Sequence, residues 1–175
     1  MEERNGLPVN EITVQSEMKN IEEVTQFINE HLDAMNCPAR IRIQIDIAVD
    51  EIFGNIVRYA YAPGTEDRPV TVRFSKGENP EDAVMTFIDE GRPFDPMTSK
   101  TPDIKLPAKK RRIGGLGLYM VKNTMDQVIY SYRDGRNVLT IYKNLRYKKP
   151  ELGKAINNRI SRALRKRENR EDQAK

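Results

Sequence analysis

The chain of 175 residues contains one cysteine and one histidine. A lone Cys37 excludes an internal disulfide, and a single histidine leaves a zinc site short of ligands. A Ser-His-Asp triad would have to use His31, which sits in a polar, helix-like stretch with no elbow motif nearby. No stretch approaches the roughly 18 apolar residues of a membrane span. The polar start, Met1-Glu2-Glu3-Arg4-Asn5, has no apolar segment behind it, so a signal peptide is not expected. Two phosphate-binding signatures are also missing. Gly114-Gly115-Leu116-Gly117 is not followed by Gly-Lys-Ser/Thr, and no strand precedes it. It is therefore neither a P-loop nor a dinucleotide fingerprint. A cytoplasmic protein without membrane contact is expected.

The net charge of +4 is unevenly spread. Residues 146–175 hold 11 Lys/Arg against 4 Asp/Glu, and the other 145 hold 19 against 22. The body is mildly acidic and the tail alone is basic, so nucleic-acid contact is expected only weakly and only through the tail. Two units follow: a compact domain over 1–145 and a basic helical tail over 146–175. In the tail, Leu152, Ile156, Ile160 and Leu164 form a narrow apolar line.

Apolar spacing orders the body. Asn10 to Val14 alternates and reads as an edge strand. Ser16 is placed to cap a helix from Glu17 to about Met35, with Met18, Ile21, Val24, Ile28, Leu32 and Met35 at helical spacing. Asn36-Cys37-Pro38 breaks the chain, and Pro38 suits the first turn of a second helix reaching about Tyr61. Its stripe is Ile41, Ile45, Ala48, Ile52, Ile56 and Tyr59. Strands follow at Val70 to Phe74 and Ala83 to Ile88. Residues 92–113 hold four of the ten prolines and the run Lys109-Lys110-Arg111-Arg112, and read as a functional loop. A helix over 115–125 precedes two strands, Val128 to Arg133 and Val138 to Lys143, joined at the hairpin signal Asp134-Gly135. The order predicts an α+β, two-layer sandwich, with a mixed, largely antiparallel sheet covered on one face by helices.

Three segments carry the chemistry. Glu51 and Asn55, four residues apart, share one helix face and border the apolar stripe, at a rim between core and cavity. A carboxylate beside an amide oxygen offers a base and one ligand for a hard cation. Asp89-Glu90-Gly91-Arg92-Pro93-Phe94-Asp95-Pro96 ends an apolar strand with an acid and a glycine. It reads as a strand-ending turn, or as a purine site in which Asp89 accepts from an adenine amino group and Gly91 lets the ring approach. Ile113-Gly114-Gly115-Leu116-Gly117-Leu118 places glycines at a helix start, where phosphate binds. Together these are the parts needed to hold Mg-ATP.

The trio resembles the N, G1 and G2 boxes of the GHKL (Bergerat-fold) ATPases shared by gyrase, histidine kinases and MutL. Ile47-Ala48-Val49-Asp50-Glu51 through Asn55 to Tyr61, Asp89 to Pro96, and Gly115-Leu116-Gly117-Leu118 with Val121-Lys122 and Met125-Asp126 are similar to the anti-sigma-factor serine/threonine kinase branch. The likeness covers roughly residues 8–145. It implies ATP and Mg²⁺ as cofactors, with Asn55 the Mg²⁺ ligand and Glu51 the general base for an attacking serine. It further implies adenine read by Asp89 beside Gly91, and phosphates met by Gly114, Gly115, Leu116 and Gly117. Lys109 to Arg112 could neutralise the γ-phosphate. Implied partners are a STAS-type anti-anti-sigma protein carrying the serine and a sigma factor, with the kinase a homodimer. A nucleotide-dependent sequestering module and a detached histidine-kinase-like ATPase domain are the competing functions. The branch's G1 box typically ends in a second glycine where this chain has Pro93, which stiffens the first hinge of the loop.

Overall fold

The structure, a computed structural model, describes residues 3–4, 7–65, 67–96 and 116–146. A short hairpin, β1 (Glu3–Arg4) and β2 (Leu7–Pro8), precedes β3 (Asn10–Gln15). Two helices follow, α1 (Ile21–Ala34) and α2 (Ala39–Tyr59), then β4 (Pro69–Lys76) and β5 (Asp82–Asp89). After them come α3 (Leu116–Thr124), β6 (Gln127–Arg133) and β7 (Arg136–Asn144). Five strands form one sheet in the order β3-β4-β5-β7-β6. Every pairing among the described residues is antiparallel, so the parallel component of a mixed sheet is not found there.

The period of two along the strands decides which face is covered. Val70, Val72 and Phe74 of β4, Met85 and Phe87 of β5 and Ile141 of β7 all point to the helices and are buried. Val24, Ile28 and Leu32 of α1 and Ile45, Ala48, Val49, Ile52 and Phe53 of α2 meet them in one core. The other face carries polar cross-strand pairs: Arg73 Nε to Glu11 at 2.7 Å, Thr13 with Thr71 at 2.9 Å and Thr86 with Thr140 at 3.0 Å. The hairpin joining β6 to β7 turns at Asp134 (φ 50°) and Gly135 (φ 78°), the left-handed pair that a two-residue type I′ turn requires.

Two helix boundaries differ from the periodicity. Ser16 does not cap α1. Its N–H continues the strand by donating to Arg68 O at 2.8 Å, its side chain is buried, and a 3₁₀ turn over Met18–Asn20 comes before Ile21. Pro38 stands just outside α2 in an extended conformation, and its carbonyl accepts from Ile41 and Arg42. Tyr59, the last member of the α2 stripe, is 52% exposed and borders an open cavity instead of the core. The calls on the tail beyond Arg146 and on the loop and glycines from residue 97 to 115 lie outside the described residues.

Phe53 is completely buried where α2 crosses the sheet. Phe53→Ala is expected to cost about 3–5 kcal/mol, read as a lower midpoint in urea unfolding. A change below about 1 kcal/mol would show that α2 is not seated as described.

Candidate functional site

The C-terminal half of α2 faces the carboxyl end of β5 across a cavity of about 730 Å³, within the 300–1,000 Å³ range of small-molecule sites. Glu51 and Asn55 line it from α2, Asp89 and Arg92 from the end of β5 and its turn, Gly117 from α3, and Asn137 from β7. Ile52 and Ile56 add an apolar wall. Both α2 polar residues are half-buried, as their border position on the stripe requires.

Asp89 is 5% exposed at the end of the central strand. Gly91 N–H and Asn137 Nδ2–H both donate to its Oδ1, each at 2.9 Å. Oδ2 accepts nothing from the described residues and is left for the cavity. Burial pushes the Asp89 carboxyl above its usual pKa, and the Asn137 and Gly91 donors draw it part of the way back. An acid whose pKa is raised on folding binds its proton more readily folded than unfolded. Its contribution to stability is therefore lost as pH rises from the unfolded pKa through the folded one. Near neutrality the ionised Asp89 costs stability.

The two glycines act through what a Cβ would strike. At Gly117 it would run into the Glu51 carboxylate, so the first turn of α3 and the acid of α2 are in immediate contact. At Gly91 it would meet Ala60 Cβ and Ala60 O, each 2.5 Å away. The missing side chain of Gly91 thus serves packing of the turn on the end of α2, and Gly91 is not among the cavity-lining residues. Arg92 fastens the same junction: its N–H donates to Ala60 O at 2.9 Å and its Nε to Tyr59 O at 2.7 Å, satisfying carbonyls at the helix end. Tyr61 O–H donates to Pro69 O at 2.8 Å and accepts from Glu90 N–H at 3.0 Å.

Leu116 begins α3, and Gly114, Gly115 and Lys109 to Arg112 lie outside the described residues. Asn137 and Tyr130 were not expected. The Asp134-Gly135 turn fixes β6 against β7, yet nothing local tells that β7 inserts beside β5 and sets Asn137 opposite Asp89. His31 packs between Phe27 and Phe74, with its Nδ1 at 2.7 Å from Phe27 O, away from the cavity. Among the described residues no three His, Cys, Asp or Glu side chains cluster as metal ligands. The donor set fits a hard cation that arrives with phosphate: Asn55 can offer one oxygen, and phosphates and water the rest. None of the described helices is long and apolar enough to cross a membrane.

Helices thus cover one face of an antiparallel sheet, and a buried acid at the strand end shares one cavity with an acid and an amide on the helix. The profile of the histidine kinase-like ATPase domain matches residues 14–143, and the chain belongs to that family. It is 28% identical to the serine/threonine-protein kinase BtrW of Bordetella bronchiseptica over 59% of this chain and 70% of that one. It is 35% identical to the serine-protein kinase RsbW of Listeria monocytogenes over 57% of this chain and 65% of that one. The crystal structure of the RsbU and RsbW domains of a Mycobacterium tuberculosis protein superposes with a TM-score of 0.55 at 17% identity. It covers 79% of this chain and 32% of that one, and supports the fold.

Asp89→Asn separates fold from binding. Oδ1 can keep both of its bonds, but an NH₂ group replaces the free oxygen and would oppose the adenine amino group that the sequence leads one to expect there. ATP affinity is expected to fall about 10- to 100-fold, as for an unsatisfied buried donor. The melting temperature at pH 7 is expected to hold or rise, because a buried charge has gone. Calorimetry and thermal melts check both, and unchanged ATP affinity would remove adenine from this end of the cavity.

Proposed function

We propose that the chain is an ATP-binding serine/threonine protein kinase of the anti-sigma-factor type. It transfers the γ-phosphate of ATP to a serine of a STAS-type anti-anti-sigma partner and regulates transcription by partner switching. The observation that carries this reading is the contact between Glu51 and Gly117: base and phosphate-facing helix start occupy one point of the cavity. A module that only bound nucleotide would have no need of an acid there. The names of the relatives point the same way.

Adenine enters beside Asp89, whose Oδ2 accepts from the 6-amino group while Ile52 and Ile56 flank the ring. At the α3 N-terminus the backbone N–H groups of Leu116 and Gly117 meet the phosphates, and the family resemblance adds Gly115. Mg²⁺ with one ligand oxygen from Asn55 would neutralise charge on the β- and γ-phosphates. The partner's serine approaches Glu51, which takes the hydroxyl proton as Oγ bonds to the γ-phosphorus. The bond to the β–γ bridging oxygen breaks and ADP leaves with that electron pair. Positioning and charge stabilisation supply most of the rate in such a transfer. Its partners are the STAS-type protein and a sigma factor, and the kinase is a homodimer.

Glu51→Gln is expected to lower serine phosphorylation about 10²- to 10⁴-fold, the usual worth of a general base, with ATP affinity retained. Labelled ATP and a STAS partner provide the assay, and full transfer by that variant would defeat the kinase reading. Gly117→Ala should also lower turnover, because its methyl group must displace the Glu51 carboxylate. An unaltered turnover there would separate Glu51 from the reacting atoms.

A further inference from the structure

Asn137 is 6% exposed and stands directly across from Asp89 in the β5–β7 ladder. Its Nδ2 faces three acceptors: Asp89 Oδ1 at 2.9 Å, Arg92 O at 3.1 Å and Gly91 O at 3.2 Å. Its Oδ1 faces two donors, Tyr130 O–H at 2.7 Å and Phe94 N–H at 3.2 Å. Phe94 N–H also lies 3.2 Å from the Tyr130 oxygen. Reversing the amide would aim its oxygen at a carboxylate and two carbonyls, so the network fixes its orientation. Tyr130 reaches Asn137 diagonally across the β6–β7 pair, whose register puts Tyr130 opposite Leu139.

We propose that Asn137, held by Tyr130, is a positioning residue that makes the site select 6-aminopurines by fixing one oxygen of Asp89 and presenting the other to the base. This rests on the ATP reading above. Without the Asn137 donor, Asp89 keeps only the Gly91 N–H, and its carboxyl turns more freely about its last torsion. A buried carboxylate with fewer donors also takes up a proton more easily. A protonated Asp89 could donate to the O6 of hypoxanthine, which the ionised form repels. Among the described residues no other group donates to Asp89. Tyr61 spends its hydroxyl proton on Pro69 O, Tyr130 spends its own on Asn137, and Glu90 pairs with Arg136 at 3.0 Å. Arg92 directs its Nε to Tyr59 O. Asp95, near Tyr130, adds only negative charge.

The test titrates the full chain with ATP and ITP from pH 5.5 to 8, as wild type, Asn137→Ala and Tyr130→Phe. Wild type is expected to prefer ATP. In Asn137→Ala the ATP/ITP preference should fall about tenfold or more, and the acid limb of ATP affinity should move to higher pH. Tyr130→Phe should change both in the same direction by less, and it carries the test alone if Asn137→Ala does not fold. Equal losses for both nucleotides with an unmoved acid limb would make Asn137 merely structural and overturn the proposal. So would variants that discriminate like wild type. A wild-type chain that binds neither nucleotide would instead defeat the ATP reading from which the proposal starts.

Discussion

The site depends on one buried carboxylate. Asp89 ends the central strand of the sheet, where burial penalises its charge and no cation among the described residues offsets it. Such a group is tolerable only with donors, and it has two, both on one oxygen. Each donor fixes a different part of the fold. Gly91 N–H is offered only if the chain turns sharply after β5, and Asn137 only if β7 lies beside β5 in the observed register. Turn, register and charge are therefore one constraint, and it leaves the second oxygen without a donor among the described residues.

Close backbone approach is the second constraint. The turn after β5 lies on the end of α2 because Gly91 has no side chain to hold it off, and Arg92 then closes the helix end with two bonds. The start of α3 reaches the Glu51 carboxylate for the same reason at Gly117. In both places a glycine brings a second element against α2, once at its tip and once about two and a half turns before it. The helix thus acts as the common reference for the two ends of the cavity, where purine and phosphate are proposed to lie.

Legibility in the sequence followed the range of the forces involved. The stripes of α1 and α2, the alternation of β4 and the Asp134-Gly135 hairpin are local, and the structure has them at those places. Glu51 and Asn55 could be placed at a rim because helical geometry alone puts them at the edge of a stripe. Ser16 misled because a capping residue and a buried strand-end serine look alike until the pairing with Arg68 O is known. Tyr59 continued the stripe on paper, but at that point the helix borders the open cavity and not the core. The role of Gly91 against Ala60, and the whole of the Tyr130–Asn137 network, depend on which strand neighbours which, and no local pattern encodes that.

The placement of the chemistry has an energetic consequence. Glu51 and Asn55 flank Ile52, Phe53 and Ile56, all buried, on a helix whose seat is the core itself. The relative position of Glu51 and Asn55, the proposed base and metal ligand, is then as rigid as the core packing, close to the density of a crystal. The proposed purine contact is different, since Asp89 is set by hydrogen bonds from a turn and a hairpin that cost less to disturb than a core. Perturbations at the hairpin should therefore alter which nucleotide is accepted before they alter how phosphate is handled, and perturbations of the core should do the reverse.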